Sequence, residues 1–86
     1  FLHTATQDNP GEKHTVRITL AEEVTFLNRG AILRELSEIP NDSRVIIDQQ
    51  DTVFIDNDVI EVIDDFEISA KTRDITVERI LRPIAA

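Results

Sequence analysis

Apolar and polar residues alternate along the segment HTVRITL, residues 14–20. Every second residue there is apolar (Val16, Ile18 and Leu20), and the residues between them are polar. An alternation of this kind predicts a half-buried strand. A second short apolar run, VTFL, follows after three residues, so we expect the two runs to pair as a hairpin. Residues 1–13, which are polar and contain Pro10-Gly11, are predicted to form a linker or a frayed lead-in.

Apolar residues at helical spacing predict a helix over residues 29–39, RGAILRELSEI. Its apolar face is formed by Ile32, Leu33, Leu36 and Ile39. Asn28 stands directly before the segment and is the predicted N-cap. Pro40 follows it and is expected to end the helix, because proline cannot continue a helical hydrogen-bond ladder.

The second predicted helix begins at Asp58. Its apolar residues recur at intervals of three and four and are Val59, Val62, Ile63, Phe66 and Ala70. Asp58 and Glu61 have the spacing of a capping box, with Asp in place of Ser or Thr. The helix is expected to end near Lys71–Arg73, since basic residues suit a helix C-terminus.

Two further segments read as strands, and a third reads as a short continuation of the sheet. The run RVIID, residues 44–48, has a continuous apolar centre bounded by polar residues, and it predicts a strand covered on both faces. Val53–Ile55 reads as a short continuation of the sheet, and DITVERI, residues 74–80, predicts the last strand. The chain is therefore expected to be an α/β domain of order β-β-α-β-α-β. It would have a small mixed sheet and right-handed crossovers, with its helices packed mainly on one face.

Length and charge narrow the classes of function. Eighty-six residues make a single small domain. The formal net charge of −8 argues against a nucleic-acid partner, because nucleic-acid binders concentrate Lys and Arg on one face. The chain has no cysteine, which excludes disulfide and thiolate chemistry.

The acidic stretch VFIDNDVIEVIDDF, residues 53–66, is the one candidate for metal or acid–base chemistry. Calcium loops need alternating oxygen ligands and a turn glycine, and this stretch has Val and Ile where those residues would stand. We therefore interpret its carboxylates as helix-capping and solvent-facing groups. No metal, cofactor or catalytic residue is predicted, and the chain is not expected to be an enzyme.

Both helices follow strands, so their N-termini are expected at one edge of the sheet, where open α/β sheets usually bind their ligands. This edge would carry Asn28 from the first helix and Asp56, Asn57 and Asp58 from the second. These four residues are the predicted interaction or switch loop.

The segments EEVTFLNRGAILRELSEIP, SRVIID and TVFIDNDVIEVIDDF resemble the STAS domain at the cytoplasmic C-terminus of bacterial SulP anion transporters. The resemblance covers roughly residues 14–80, so residues 14–86 are the expected STAS domain. It implies a regulatory or interaction module of a sulfate or bicarbonate permease on the cytoplasmic side of the membrane. The implied partners are the transmembrane domain of the same transporter and a regulatory protein.

Two features depart from the STAS pattern. Stand-alone STAS proteins, the anti-sigma factor antagonists, carry a phosphorylated Ser or Thr in the loop before the second helix, where this chain has Asp56, Asn57 and Asp58. A soluble partner-switching protein of that kind is the alternative function. The chain also stops after the fourth predicted strand, as if truncated relative to longer STAS domains. We expect HTVRITL or the C-terminal strand to pair two copies as a homodimer.

Overall fold

The computed structural model describes residues 2–83. Six strands form, and in chain order they are β1 (Leu2–Gln7), β2 (His14–Leu20), β3 (Glu23–Val24), β4 (Ser43–Asp48), β5 (Phe54–Ile55) and β6 (Thr76–Ile80). The helices are α1 (Arg29–Ser37) and α2 (Asn57–Ala70). Short 3-10 turns precede α1 at Phe26–Asn28 and follow α2 at Lys71–Arg73. The predicted ends of α1 at Pro40 and of α2 near Lys71 agree with these bounds.

Four strands make one mixed sheet in the order β1-β2-β4-β6. β1 and β2 are antiparallel, whereas β2 with β4 and β4 with β6 are parallel. The two parallel neighbours are joined through α1 and α2, which is the connection that parallel strands require. The predicted α/β class and mixed sheet are confirmed, together with two helices.

The hairpin is not the one predicted. β2 pairs with β1, so residues 2–7 are a sheet strand and not a linker, while Phe1 lies outside the described residues. Residues 8–13 connect the two strands, and Gly11 takes a left-handed φ of 79° there. Because β1 and β4 occupy both sides of β2, the prediction that HTVRITL pairs two copies is also wrong.

The core lies on one face of the sheet. Val16, Ile18 and Leu20 of β2 share it with Val45 and Ile47 of β4, and all five are buried. The helices bury their apolar stripes in the same cluster, which includes Ile32, Leu36 and Ile39 and the five predicted apolar residues of α2. Leu33 is the exception in the predicted stripe of the first helix, because its side chain is 46% exposed. Both helices therefore pack on this face, as predicted.

The opposite face of the sheet is polar, so the prediction that residues 44–48 are covered on both faces is wrong. Arg44 is exposed and its Nη2 donates to Glu78 Oε2 of β6 at 2.8 Å. Asp48 is nearly buried and accepts from Arg17 Nη2 of β2 at 2.6 Å. Ile46 between them is half-buried. Cross-strand ion pairs cover this face in place of a second layer of helices.

Within residues 2–83, no helix has the length and apolar character needed to cross a bilayer. The longer helix, α2, has 14 residues, fewer than the about 20 that a span needs.

Candidate interaction site

The loops that lead into the two helices are joined by a second, two-stranded sheet. β3 pairs in parallel with β5 in the register Glu23 with Phe54 and Val24 with Ile55. Backbone bonds tie the loops further, since Val53 N–H donates to Glu22 O at 2.8 Å and Asp56 N–H donates to Val24 O at 2.9 Å. We call the paired segments 22–28 and 51–58 the carboxyl edge, because they follow the carboxyl ends of β2 and β4.

The carboxyl edge brings together the four predicted site residues, as the position of the two helix N-termini required. Asn28 and Asp56 are half-buried there, whereas Asn57 and Asp58 are exposed. The prediction that these residues share one edge agrees with the structure. Their roles in capping differ from the predicted ones at both helices.

The start of α1 is capped one turn earlier than predicted. Thr25 accepts from Leu27 N–H through its Oγ1 at 3.3 Å, and Asn28 Oδ1 accepts from Thr25 N–H at 2.8 Å. These two residues form a capping box around the 3-10 turn that opens the helix. Asn28 is therefore the third residue of the capped turn, and its side chain makes no cap bond to α1 itself.

The cap of α2 is Asp56 and not Asp58. Asp56 has extended backbone angles, and its Oδ1 accepts from Asp58 N–H at 2.9 Å. Asp58 lies inside the first turn, where its carboxylate still interacts favourably with the helix dipole. The predicted capping box of Asp58 with Glu61 is therefore wrong. The N-cap is two residues earlier, at Asp56, and the helix begins at Asn57.

Four large apolar side chains stand exposed at the carboxyl edge: Phe26 (62%), Leu27 (78%), Val53 (62%) and Phe54 (51%). Strand alternation explains Phe54, since Val24 and Ile55 of the β3–β5 pair turn towards the core and leave Glu23 and Phe54 facing outward. Sequence reasoning missed this cluster because it assigned residues 24–27 to a regular strand. Asn28 three residues after Thr25 was the signal for a capped turn instead.

Carboxylates surround this apolar cluster. Glu22, Glu23, Asp51 and Asp58 are exposed on the same two segments, and Asp56 is half-buried between them. No lysine or arginine occurs in either segment. The carboxyl edge is therefore an apolar surface with an acidic rim.

Asp48 holds the carboxyl end of β4 just before this edge. The Gln50 backbone N–H donates to Asp48 Oδ1 at 3.0 Å, and this bond, with Arg17 at the other oxygen, lowers the pKa of Asp48 against the opposing effect of burial. One oxygen of this carboxylate thus holds the Gln49-Gln50-Asp51 turn, and the other pairs with Arg17 of β2. Thr52 completes the turn, because its Oγ1 donates to Ala21 O at 2.8 Å.

The acidic side chains are not gathered into a metal-binding cluster in the part of the chain that the structure describes. Residues 2–83 contain no group of three or more His, Cys, Asp or Glu side chains placed to hold a metal ion. The predicted acidic stretch is divided between the cap at Asp56 and the outer face of α2, where Glu61, Asp64 and Asp65 are exposed. Comparison with models of protein families finds no match for the chain, and comparison with curated proteins finds no relative.

Proposed function

We propose that the chain is a non-catalytic interaction module of the STAS type, carried on the cytoplasmic side of a SulP-type transporter of sulfate or bicarbonate. The observation that supports it is the carboxyl edge, where an exposed apolar cluster lies inside an acidic rim. This edge includes the two sequence features that most resemble STAS domains, the F-L-N of residues 26–28 and the F-I-D of residues 54–56.

The composition of the edge suits contact with a protein. Aromatic side chains supply much of the binding energy at protein interfaces, and Phe26 and Phe54 are both more than half exposed. Exposed large apolar groups in the described part of the chain concentrate at this edge, whereas scattered single residues would need no explanation. The edge would therefore bury its apolar cluster against a partner.

The acidic rim indicates the charge of that partner. Cytoplasmic loops of membrane proteins are enriched in Lys and Arg, and the chain carries a net charge of −8. Opposite potentials favour correct docking of two such surfaces and disfavour other partners. A basic cytoplasmic loop of the transporter's own membrane domain is the partner that we propose for the carboxyl edge.

The soluble partner-switching function has less support. Residues 53–64 contain no Ser or Thr, so the loop and first turn of α2 offer no hydroxyl for a kinase. Thr52, the nearest one before them, is nearly buried and bonded to Ala21 O. A phosphorylation switch would have no accessible acceptor at this position.

The test uses the complete reading frame that contains this sequence. A photo-crosslinking amino acid is placed at position 27 in the full-length protein. An identical one at position 12, in the exposed loop between β1 and β2 at the opposite end of the sheet, serves as the control. We expect the probe at position 27 to crosslink to a cytoplasmic loop of the membrane domain. Leu27→Lys should also change the uptake of labelled sulfate or bicarbonate into proteoliposomes, while leaving the melting temperature unchanged.

Two results would refute the proposal. One is a full-length protein without membrane-spanning segments. The other is uptake that is identical in the native protein and in a Leu27→Lys, Phe54→Lys double variant that is folded. A crosslink from position 27 to a separate soluble protein would instead support the partner-switching function.

A further inference from the structure

An open groove, which we call the interhelical groove, lies between α1 and α2. It has a volume of about 360 Å³, and its apolar floor is formed by the buried side chains of Leu36, Val62 and Phe66. Leu33 also lines it and is 46% exposed. This leucine is the residue of the predicted apolar stripe of the first helix that stays outside the core, so the stripe continues from the core into the groove.

Two arginines lie at opposite ends of the interhelical groove. Each helix connects two parallel strands, so α1 and α2 run in the same direction, away from the carboxyl edge. Arg29 is the first residue of α1, whereas Arg73 is the last residue of the 3-10 turn that follows α2. Both side chains line the groove, so its apolar floor has a positive charge near each end.

The charges of these two arginines are not balanced within the described part of the chain. Acids outnumber bases by 17 to 9, and four other basic residues each form an ion pair: Lys13, Arg17, Arg44 and Arg79. Among residues 2–83, neither Arg29 nor Arg73 forms one. Arg73 is held by neutral acceptors, because its Nε donates to Asn41 Oδ1 at 2.8 Å and its Nη2 donates to Ile39 O. A guanidinium has more N–H donors than these two bonds use, so Arg73 is fixed in place and can still bind an anion.

The walls of the groove decide which kind of ligand fits. Small-molecule sites usually bury about 70–90% of the surface of the ligand, whereas this groove is open to solvent. The backbone groups of α1 and α2 are bonded within each helix, so an extended peptide would find no backbone partners between them. A helix brings its own backbone bonds and can place apolar side chains in such a groove. The geometry therefore favours a helical ligand.

We propose that the interhelical groove binds an amphipathic helix of a partner protein, with an acidic residue at each end of the apolar face of that helix. The wall on α1 runs from Arg29 to Ser37 and has 9 residues, which makes it about 12 Å long. Two acids that lie two helical turns apart on one face have a similar separation. They would reach both arginines, since carboxylates form strong charge-assisted bonds with guanidinium groups. Apolar side chains between the acids would cover Leu33 and Phe66.

Neighbouring charges define the direction and the middle of the docked helix. Because α1 and α2 are parallel to each other, their dipoles favour a third helix that is antiparallel to both. The C-terminal acid of the docked helix then pairs with Arg29 and the N-terminal acid pairs with Arg73. Asp65 is exposed along the groove, so the middle of the docked helix should carry no acid. The net charge of −8 opposes an acidic partner mainly at long range, and salt screens it beyond about 8 Å at physiological ionic strength.

The first test measures binding of a designed peptide to the chain by fluorescence anisotropy. The probe is a labelled, alanine-based helical peptide of about 15 residues, with a Glu at each end of a face two turns long and two Leu between them. We expect saturable binding to the native chain. Leu33→Glu should weaken it at least about tenfold, which corresponds to about 1.4 kcal/mol.

Ile68→Glu is the matched control for Leu33→Glu. It makes the same change at an exposed apolar residue of α2 that does not line the interhelical groove, and it should leave the affinity unchanged. Both residues are exposed, so the melting temperature of each variant should stay near that of the native chain. Absence of binding to the native chain, or an unchanged affinity for Leu33→Glu, would overturn the proposal.

The second test concerns the acids of the partner. A peptide with Gln in place of both Glu residues should bind several-fold more weakly, and Arg29→Gln should weaken binding of the Glu peptide about two- to fivefold, since exposed ion pairs are weak. Arg73 is left unchanged because it also holds Asn41 and Ile39 O. Equal affinities of the Glu and Gln peptides would refute an acidic partner.

A charge exchange tests the direction of the docked helix. Arg29→Glu should lower the affinity for the Glu peptide, and a peptide with Lys in place of its C-terminal Glu should recover the affinity. Recovery by the peptide with Lys at the N-terminal position instead would refute the antiparallel orientation. The proposal goes beyond the proposed transporter function, and its tests do not depend on that function because they use the chain by itself.

Discussion

Removal of the Asp56 side chain tests the most specific local feature of the structure, the cap of α2. Asp56→Ala deletes the one side-chain bond to the first turn, which Asp58 N–H donates at 2.9 Å. The backbone bonds that Val59 and Ile60 donate to Asp56 O would remain. The loss is thus that of a single N-cap, about 1 kcal/mol within a range of about 0.5–2 kcal/mol.

A loss of this size is measurable in a domain of 86 residues. Each kcal/mol lowers the melting temperature by about 4–8 °C in a domain of this length. Urea unfolding followed by far-UV circular dichroism gives the free energy of unfolding for the native chain and for each variant. Asp56→Asn removes the charge and keeps a side chain that caps about as well as aspartate. Its free energy of unfolding should therefore lie close to that of the native chain.

Asp58→Ala is the matched control. Asp58 contributes its charge to the helix dipole and makes no cap bond, so its loss should be the smaller one, about 0.3–1 kcal/mol. A larger loss for Asp58→Ala than for Asp56→Ala would refute the assignment of the cap and restore the prediction made from sequence. Equal losses for Asp56→Ala and Asp56→Asn would show that the charge, and not the hydrogen bond, stabilises this end of the helix.

Two further predictions concern the core and the pH dependence of stability. Ile63→Ala should lower the free energy of unfolding by about 2–5 kcal/mol, because Ile63 is 1% exposed. Val53→Ala on the exposed carboxyl edge should change it by no more than about 0.5 kcal/mol. Similar losses for the two variants in urea unfolding would contradict the placement of the core. The folded state lowers the pKa of Asp48 below the unfolded value of 3.8, so the stability that it contributes is present above that value and is lost as the pH falls through the folded pKa. The difference in unfolding free energy between the native chain and Asp48→Asn should therefore shrink between pH about 5 and about 2, and a constant difference would contradict the role of Asp48.

The helices and the core strands were accessible from the sequence because each has a periodic apolar pattern that burial preserves. The stripe of α2 from Val59 to Ala70 is buried as a whole, and the alternation in residues 14–20 gives the buried face of β2. Cap positions were less accessible, because Asp56 and Asp58 both have side chains able to cap, and only the backbone angles distinguish them.

The tertiary structure alone decided which strands pair and where apolar groups stay exposed. Residues 2–7 have little apolar alternation, so their strand exists through its ladder with β2 and not through propensity. The apolar centre of residues 44–48 predicted two covered faces, but the charged ends of this segment, Arg44 and Asp48, form ion pairs with β6 and β2 on the second face. Phe26 and Phe54 lie in apolar runs of the sequence, and only the structure shows that both are exposed and that the β3–β5 pair turns Phe54 outward. Periodicity records the face on which an element is buried, whereas pairing depends on distant segments that a local pattern does not encode.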